Sequence, residues 1–287
     1  MNLLLVLVPA IFWGINPIIV TKTGGSATNQ VFGLGLGTVV VAIIATLIVK
    51  PTISPLIFLV ALLTGVCWPI GQLGQFVSMK RIGVSKAVPI STGLQLVGNT
   101  LIGAFIFHEW QGRQSIIIGF IALILVIIGS ALTSATDRGE DQRVKLKDLL
   151  FLLVTTSGYL LYSALPKFPI LAHTSSVAIL LPEALGIFGG IAIYQLCTEG
   201  LTPFKQKAQY TNITAGFSWG IGTFAYIVVA QQLGVTTAFI FSQLNVLVAT
   251  LGGVLILHEK KDTFEMWCTL IGLVLIIAGA IATTFAK

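Results

Sequence analysis

The chain has 287 residues, of which 9% are charged and 55% hydrophobic, and its mean hydropathy is +0.97. A soluble domain carries roughly a quarter charged residues, so this composition excludes a water-soluble globular protein and makes lipid the solvent for most of the chain. The net charge of +6 does not point to nucleic acid, because the basic residues are spread over short loops rather than gathered on one face.

Crossing the hydrocarbon core takes roughly 20 apolar residues, so stretches free of Asp, Glu, Lys and Arg mark the expected spans. Residues 1–21, 23–49, 51–79, 87–108, 114–136 and 149–166 give six. The first lacks a basic leader region and a small-residue cleavage site and contains Trp13, Asn16 and Pro17, so it reads as a span rather than a signal peptide. Residues 168–198, with the single acid Glu183, make the seventh, and 266–286 make the last. Between them, 208–258 runs uncharged for about twice one crossing, with a turn expected at Gln231, Gln232, Leu233 and Gly234. The expected fold is all-α, a polytopic membrane protein with ten transmembrane helices.

The candidate pathway residues follow in chain order. The first span supplies Trp13 and Asn16, and the second opens on Gly24 and Gly25 with Asn29 and Gln30, which either cap the helix or reach into a pathway. In the third, Trp68, Gln72, Gln75 and Met79 recur at i, i+4, i+7 and i+11, one face of a helix. Ser91, Gln95 and Asn99 share a face in the fourth, and the sixth carries Tyr159, Tyr162 and Pro166. The eighth carries Trp219, Thr223 and Tyr226, and the ninth Ser242, Gln243 and Asn245. Amides and hydroxyls at hydrocarbon depth must find partners, and interhelical bonds are one way to supply them. Amides beside aromatic faces also suit a sugar, whose hydroxyls take paired hydrogen bonds and whose C–H face takes a flat ring. The set Trp13, Asn16, Trp68, Gln72, Gln75, Gln95, Asn99, Tyr159, Tyr162, Trp219, Tyr226, Gln243 and Asn245 is therefore the expected substrate site.

Glu183 is an acid in an apolar span, where a charge costs about 2.5–3.5 kcal/mol on insertion scales, so a function is the default reading. It either couples transport to protons, bonds a substrate hydroxyl, or satisfies a backbone turn broken at Pro182. The pairs His108–Glu109 and His258–Glu259 do not continue as a zinc-protease motif and read as interfacial caps or loop ion-pair partners. Cys67, Cys197 and Cys268 show no paired spacing, so neither a disulfide framework nor a metal site is expected. No phosphate-cradling loop or nucleophile motif is present, so the expectation is neither an enzyme nor an ATP-driven pump, with no cofactor.

The segment Asp137–Asp148 carries eight charges and divides the chain into a repeat over 1–136, a cytoplasmic linker over 137–148 and a repeat over 149–287. Gly65, Trp68, Ile70 and Gly71 lie over Gly216, Trp219, Ile221 and Gly222; Gly83 and Val84 over Gly234 and Val235; and His108 and Glu109 over His258 and Glu259. Five spans per half is an odd number, so the second copy enters from the opposite face, the inverted-repeat plan of secondary transporters. Twelve of the 16 basic residues, including Lys22, Lys80, Arg81, Lys86, Lys205 and Lys207, fall on one set of loops, which places both termini outside the cytoplasm.

The segment Gly83–Trp110, together with 24–37, 68–76, 158–163 and 219–265, resembles the bacterial glucose and ribose uptake porters of the drug/metabolite transporter superfamily. The resemblance implies two inverted five-helix repeats in the bacterial cell membrane and uptake of a monosaccharide, glucose or ribose, driven by a cation gradient; the Glu183 reading makes that cation a proton, and both halves in one chain imply no obligate protein partner. It also implies a pathway lined by spans one, three, four, six, eight and nine. Export of drugs or metabolites on the same fold is the alternative.

Overall fold

The computed structural model describes residues 3–82, 84–133, 144–257, 262–283 and 285–286, and among them every regular element is a helix. In chain order these are α1 (Leu3–Thr23), α2 (Ala27–Val49), α3 (Pro55–Ile82), α4 (Val84–Leu101) running into a π-helical turn at Ile102–Ile106, and α5 (Arg113–Thr133). Then come α6 (Leu146–Ala164), α7 (Ser176–Thr198), the short α8 (Lys207–Thr211), α9 (Ile213–Leu233), α10 (Val235–Ser242), α11 (Asn245–Ile256) and α12 (Thr263–Thr283). Nine helical segments among the described residues are long and apolar enough to cross a membrane, and Ile90–Ile106 is a shorter apolar helix. The chain is an all-α polytopic membrane protein.

Local chemistry explains where the boundaries differ from the sequence pattern. The uncharged stretch from 168 does not begin a helix at once: Phe168, which precedes Pro169, is extended at ψ 136°, and helix resumes only at Ser176. The charged segment is not linker to its end, because α6 starts at Leu146 with Asp148 in its first turn, where the carboxylate accepts from the Lys145 N–H at 3.3 Å and complements the helix dipole. Residues 137–143 of the expected linker lie outside the described residues. The expected turn at 231–234 falls at Gly234, whose φ of +96° suits glycine and separates α9 from α10. One break has no glycine or proline to announce it: at Gln243–Leu244 the backbone shifts to i→i+3 bonds and divides α10 from α11.

Small residues let the helix backbones meet. Gly33 and Gly37 of α2 face Asn212 and Gly216 at the start of α9, and Gly129 of α5 meets Gly272 of α12. Gly65 of α3 presses on the Glu183 carbonyl of α7, and Gly71 on the Tyr159 ring of α6. On α9, Gly216 presses on the Gly33 carbonyl and Gly222 on the Trp13 ring. The outer faces stay apolar and uncovered, as at Leu47 and Ile48, which is the surface a bilayer covers.

Candidate substrate cavity

A cavity of about 510 Å³ lies between these helices, within the range of small-molecule sites. From α1 it receives Trp13, Asn16, Pro17 and Val20; from α3, Trp68, Gln72, Gln75 and Phe76; and from α6, Tyr159, Tyr162 and Ser163. Thr92 and Gln95 of α4 and Trp219 of α9 complete one wall, with Phe239, Ser242, Gln243, Asn245 and Val246 around the break between α10 and α11. Val20 near the end of α1, Gln30 near the start of α2 and Phe76 near the end of α3 carry the cavity toward the face where α1 ends and α2 begins. Toward the other face it is shut by an apolar cluster that includes Val6, Leu96, Tyr226, Val229, Val235, Ala238 and Phe239.

Three tryptophans form the floor. The Trp13 and Trp219 rings stack at 5.0 Å and 16°, and Trp68 meets Trp219 at 5.1 Å. The Trp13 indole N–H is buried and has no hydrogen-bond partner within the protein, its edge lying against Gly222 of α9, while the Trp219 indole N–H acts on the Tyr162 hydroxyl. A buried donor left without an acceptor costs free energy, so the Trp13 edge is held against α9 at a cost.

The amides are partly committed. Asn16 donates to the Ala215 carbonyl at 2.7 Å, which ties α1 to α9 and leaves its Oδ1 as the group a ligand could use. Tyr159 donates to Gln72 Oε1 at 3.0 Å, and Gln72 donates to Gln75 at 3.5 Å. Gln95 donates to Ser91 Oγ at 3.3 Å, and Gln243 donates to the Phe239 carbonyl at 3.5 Å. Tyr162 and Thr223 share a hydrogen bond at 3.2 Å.

Eleven of the thirteen residues expected at the site from the sequence line this cavity; Asn99 and Tyr226 do not. Asn99 is buried behind the wall, accepting from Ser163 Oγ at 2.5 Å, and Tyr226 donates to the Ser163 carbonyl at 2.9 Å while its ring packs on Trp13. Both hold Ser163 in place rather than facing the cavity. Ser163→Ala would leave the Asn99 amide buried without a partner, and the expected loss is about 1–3 kcal/mol of stability, read as a lower melting temperature in detergent. Glu183 is also outside the cavity wall, buried to 2% exposure on α7, and its Oε2 has no hydrogen-bond partner. The helix runs through Pro182, whose ring supplies no N–H to the Ala178 carbonyl one turn earlier.

Sequence reasoning missed the apolar lining residues Leu34, Phe239 and Val246, which look like any lipid-facing residue by type. It left Gln30 undecided between cap and pathway; the cap is Ser26, which accepts from the Asn29 N–H, and Gln30 lines the cavity. Asn29 instead donates to Gln206 at 2.5 Å, outside the cavity lining. The Met79 side chain and the pair His258–Glu259 lie outside what the structure describes. Among the described residues no group of three or more His, Cys, Asp or Glu could hold a metal, and Cys67, Cys197 and Cys268 are free.

Comparison with known proteins agrees with this architecture. A chain of Lactobacillus helveticus named as a sugar uptake protein is 44% identical over 282 residues, covering 98% of this chain and 99% of its own. The glucose uptake protein GlcU of Bacillus subtilis (strain 168) is 39% identical over 293 residues, covering 100% and 99%. A protein crystal structure superposes with a TM-score of 0.73 at 14% identity, covering 98% of this chain and 96% of that one, which supports the fold alone. The sequence profile of the sugar transport protein family matches residues 4–286, and the chain belongs to that family, a transporter rather than an enzyme.

Proposed function

We propose that this chain is a secondary-active transporter that carries a monosaccharide, glucose or ribose, into a bacterial cell, coupled to protons. The observation that carries the reading is the cavity wall, with three tryptophan faces beside Gln72, Gln75, Gln95, Gln243 and Asn245. Rings offer a surface to the sugar's C–H face and amides offer paired donors and acceptors to its hydroxyls. The names of the relatives at 44% and 39% identity point the same way.

Two inverted five-helix repeats are supported by the packing. Gly65 and Gly216, equivalent by sequence, each press on a carbonyl of the other half, at Glu183 and Gly33; Gly71 and Gly222 each face an aromatic ring of the other half, at Tyr159 and Trp13. Such repeats give a midplane site two exchangeable accesses. With both termini outside, the cavity as it stands reaches toward the cytoplasm.

Glu183 is the candidate coupling group. It is a buried acid whose Oε2 has no hydrogen-bond partner, and its backbone carbonyl packs against Gly65 of α3, the helix that brings Trp68, Gln72 and Gln75 to the cavity. Glu183→Gln is expected to abolish gradient-driven accumulation while sugar exchange down a gradient persists, measured as the steady-state accumulation ratio at several external pH values. Full accumulation with the parent's pH dependence would sink the coupling role.

The test of the whole reading is purified protein in vesicles with labelled glucose and ribose, with and without an inward proton gradient. Saturable uptake of one sugar that the gradient stimulates is expected. Equal uptake in both conditions would leave facilitated diffusion and remove the proton, and no saturable uptake of either sugar would favour export of another solute.

A further inference from the structure

On the face where α1 begins, the cavity meets an apolar cluster to which α10 contributes Val235, Ala238, Phe239, Ile240 and Phe241. Phe239 of α10 both lines the cavity and belongs to the apolar seal with Val6 of α1, and Val235 and Ala238 of the same helix lie in that seal. A path to that face that runs past Phe239 requires α10 to move. Two features fix where its first residue sits: Gly234 before it, at φ +96°, and the carboxylate of Glu109. Glu109 Oε1 accepts from the Val235 N–H at 2.6 Å and Oε2 from the Thr236 N–H at 2.9 Å. This is a charged cap on a helix N-terminus, supplied by a residue 126 positions away in the other half of the chain.

The surroundings are shaped for that carboxylate. His108 has a left-handed φ of +53°, unusual for a residue other than glycine, and so turns the chain as it leaves the π-helical segment. The Glu109 N–H donates back to the Gly103 carbonyl at 3.0 Å. A side chain at Gly103 would meet the Glu109 carboxylate and the Thr236 hydroxyl, and one at Gly234 would meet the carboxylate carbon at 2.5 Å. Both glycines leave the space the carboxylate fills.

We infer that Glu109 is a positioning residue for transport: a latch between the two halves that holds the face opposite the cavity mouth shut and must release α10 in each transport cycle. The inference rests on the uptake reading for its purpose, though not for its test. Val6 and Val20 lie toward opposite ends of α1, one in the seal and one on the cavity wall, so single cysteines there report access from the two faces.

In a background with Cys67, Cys197 and Cys268 replaced by serine, Val6→Cys and Val20→Cys are labelled with a membrane-impermeant maleimide in right-side-out and inside-out vesicles, without sugar. Glu109→Ala is expected to raise Val6→Cys labelling about tenfold, the effect of losing about 1.4 kcal/mol of capping, and to lower Val20→Cys labelling from the other side. Gly103→Ala, which displaces the carboxylate without removing it, is expected to move both labels in the same directions. Unchanged labelling overturns the latch, and so does a rise at both positions, which is the mark of general loosening. Because no sugar is present, failure of the substrate assignment leaves this readout intact.

Discussion

Trp219→Ala is expected to remove saturable sugar uptake while leaving folded protein in the membrane. Trp219 touches both other tryptophans of the cavity, at 5.0 Å to Trp13 and 5.1 Å to Trp68, so its loss opens the centre of the aromatic floor rather than one edge. It also removes the indole N–H that acts on the Tyr162 hydroxyl, another group of the cavity wall. Truncating a central aromatic contact typically costs about 2 kcal/mol or more of binding, roughly a thirtyfold rise in Kd. Trp219→Phe keeps the flat face and loses the donor, so it should fall between parent and alanine. The measurement is tryptophan-fluorescence titration of purified protein with glucose and ribose, alongside vesicle uptake. Parent-like affinity in Trp219→Ala would separate the aromatic floor from substrate binding.

The proposed latch and the aromatic floor meet at the same apolar cluster. Trp13 of α1 and Trp219 of α9 stack in the cavity wall, and both helices contribute to the seal that α10 completes. A ligand shifts a two-state equilibrium only by its differential affinity for the two states. The stacked pair supplies such a difference if its geometry changes when α10 leaves Glu109, and Glu109→Ala combined with sugar titration measures that coupling.

What could be read from the sequence follows from what lipid does to a pattern. An amide or a tryptophan at mid-span stands out against an apolar background, and helical spacing then groups Trp68, Gln72 and Gln75 on one face, which is where they lie. The same logic could not separate Gln95, on the wall, from Asn99, one turn further and behind it, because that distinction depends on how α4 packs against α6. Tyr226 shows the same limit: its spacing from Trp219 puts it on that face, but the Ser163 carbonyl takes its hydroxyl. The break at Gln243–Leu244 carries no glycine or proline, and the π-helical turn at Ile102–Ile106 has no local signature, so both emerge only from tertiary packing. Glu109 was legible as a cap but not as a cap on the other half, since its partners are backbone amides of α10.

The largest structural effect is expected where two backbones leave no room for a side chain. At Gly216 an added Cβ would stand 2.5 Å from the Gly33 carbonyl oxygen and 2.6 Å from both the Gly37 Cα and the Leu34 carbonyl oxygen, all main-chain atoms of α2 that cannot rotate aside. Gly216→Val adds a branched side chain at that point, so α2 and α9 must separate along the line where Gly33, Gly37 and Gly216 meet. Overpacking of this kind costs about 1–3 kcal/mol where neighbours can shift, and more against rigid backbone. Separation would also strand the bond from Thr38 to the Gly216 carbonyl and pull on Asn16, whose amide is held by Ala215 in the adjacent position. The outcome should therefore be a fall in monodisperse protein on size-exclusion chromatography and, for what remains, loss of uptake through disturbance of the α1 wall. Gly189→Val, on α7 where an added Cβ meets nothing within 4 Å, provides the matched comparison and should retain both. Equal behaviour of the two variants would show that the contact at Gly216 opens without cost, and that the α2–α9 pair is mobile rather than a fixed support for the cavity.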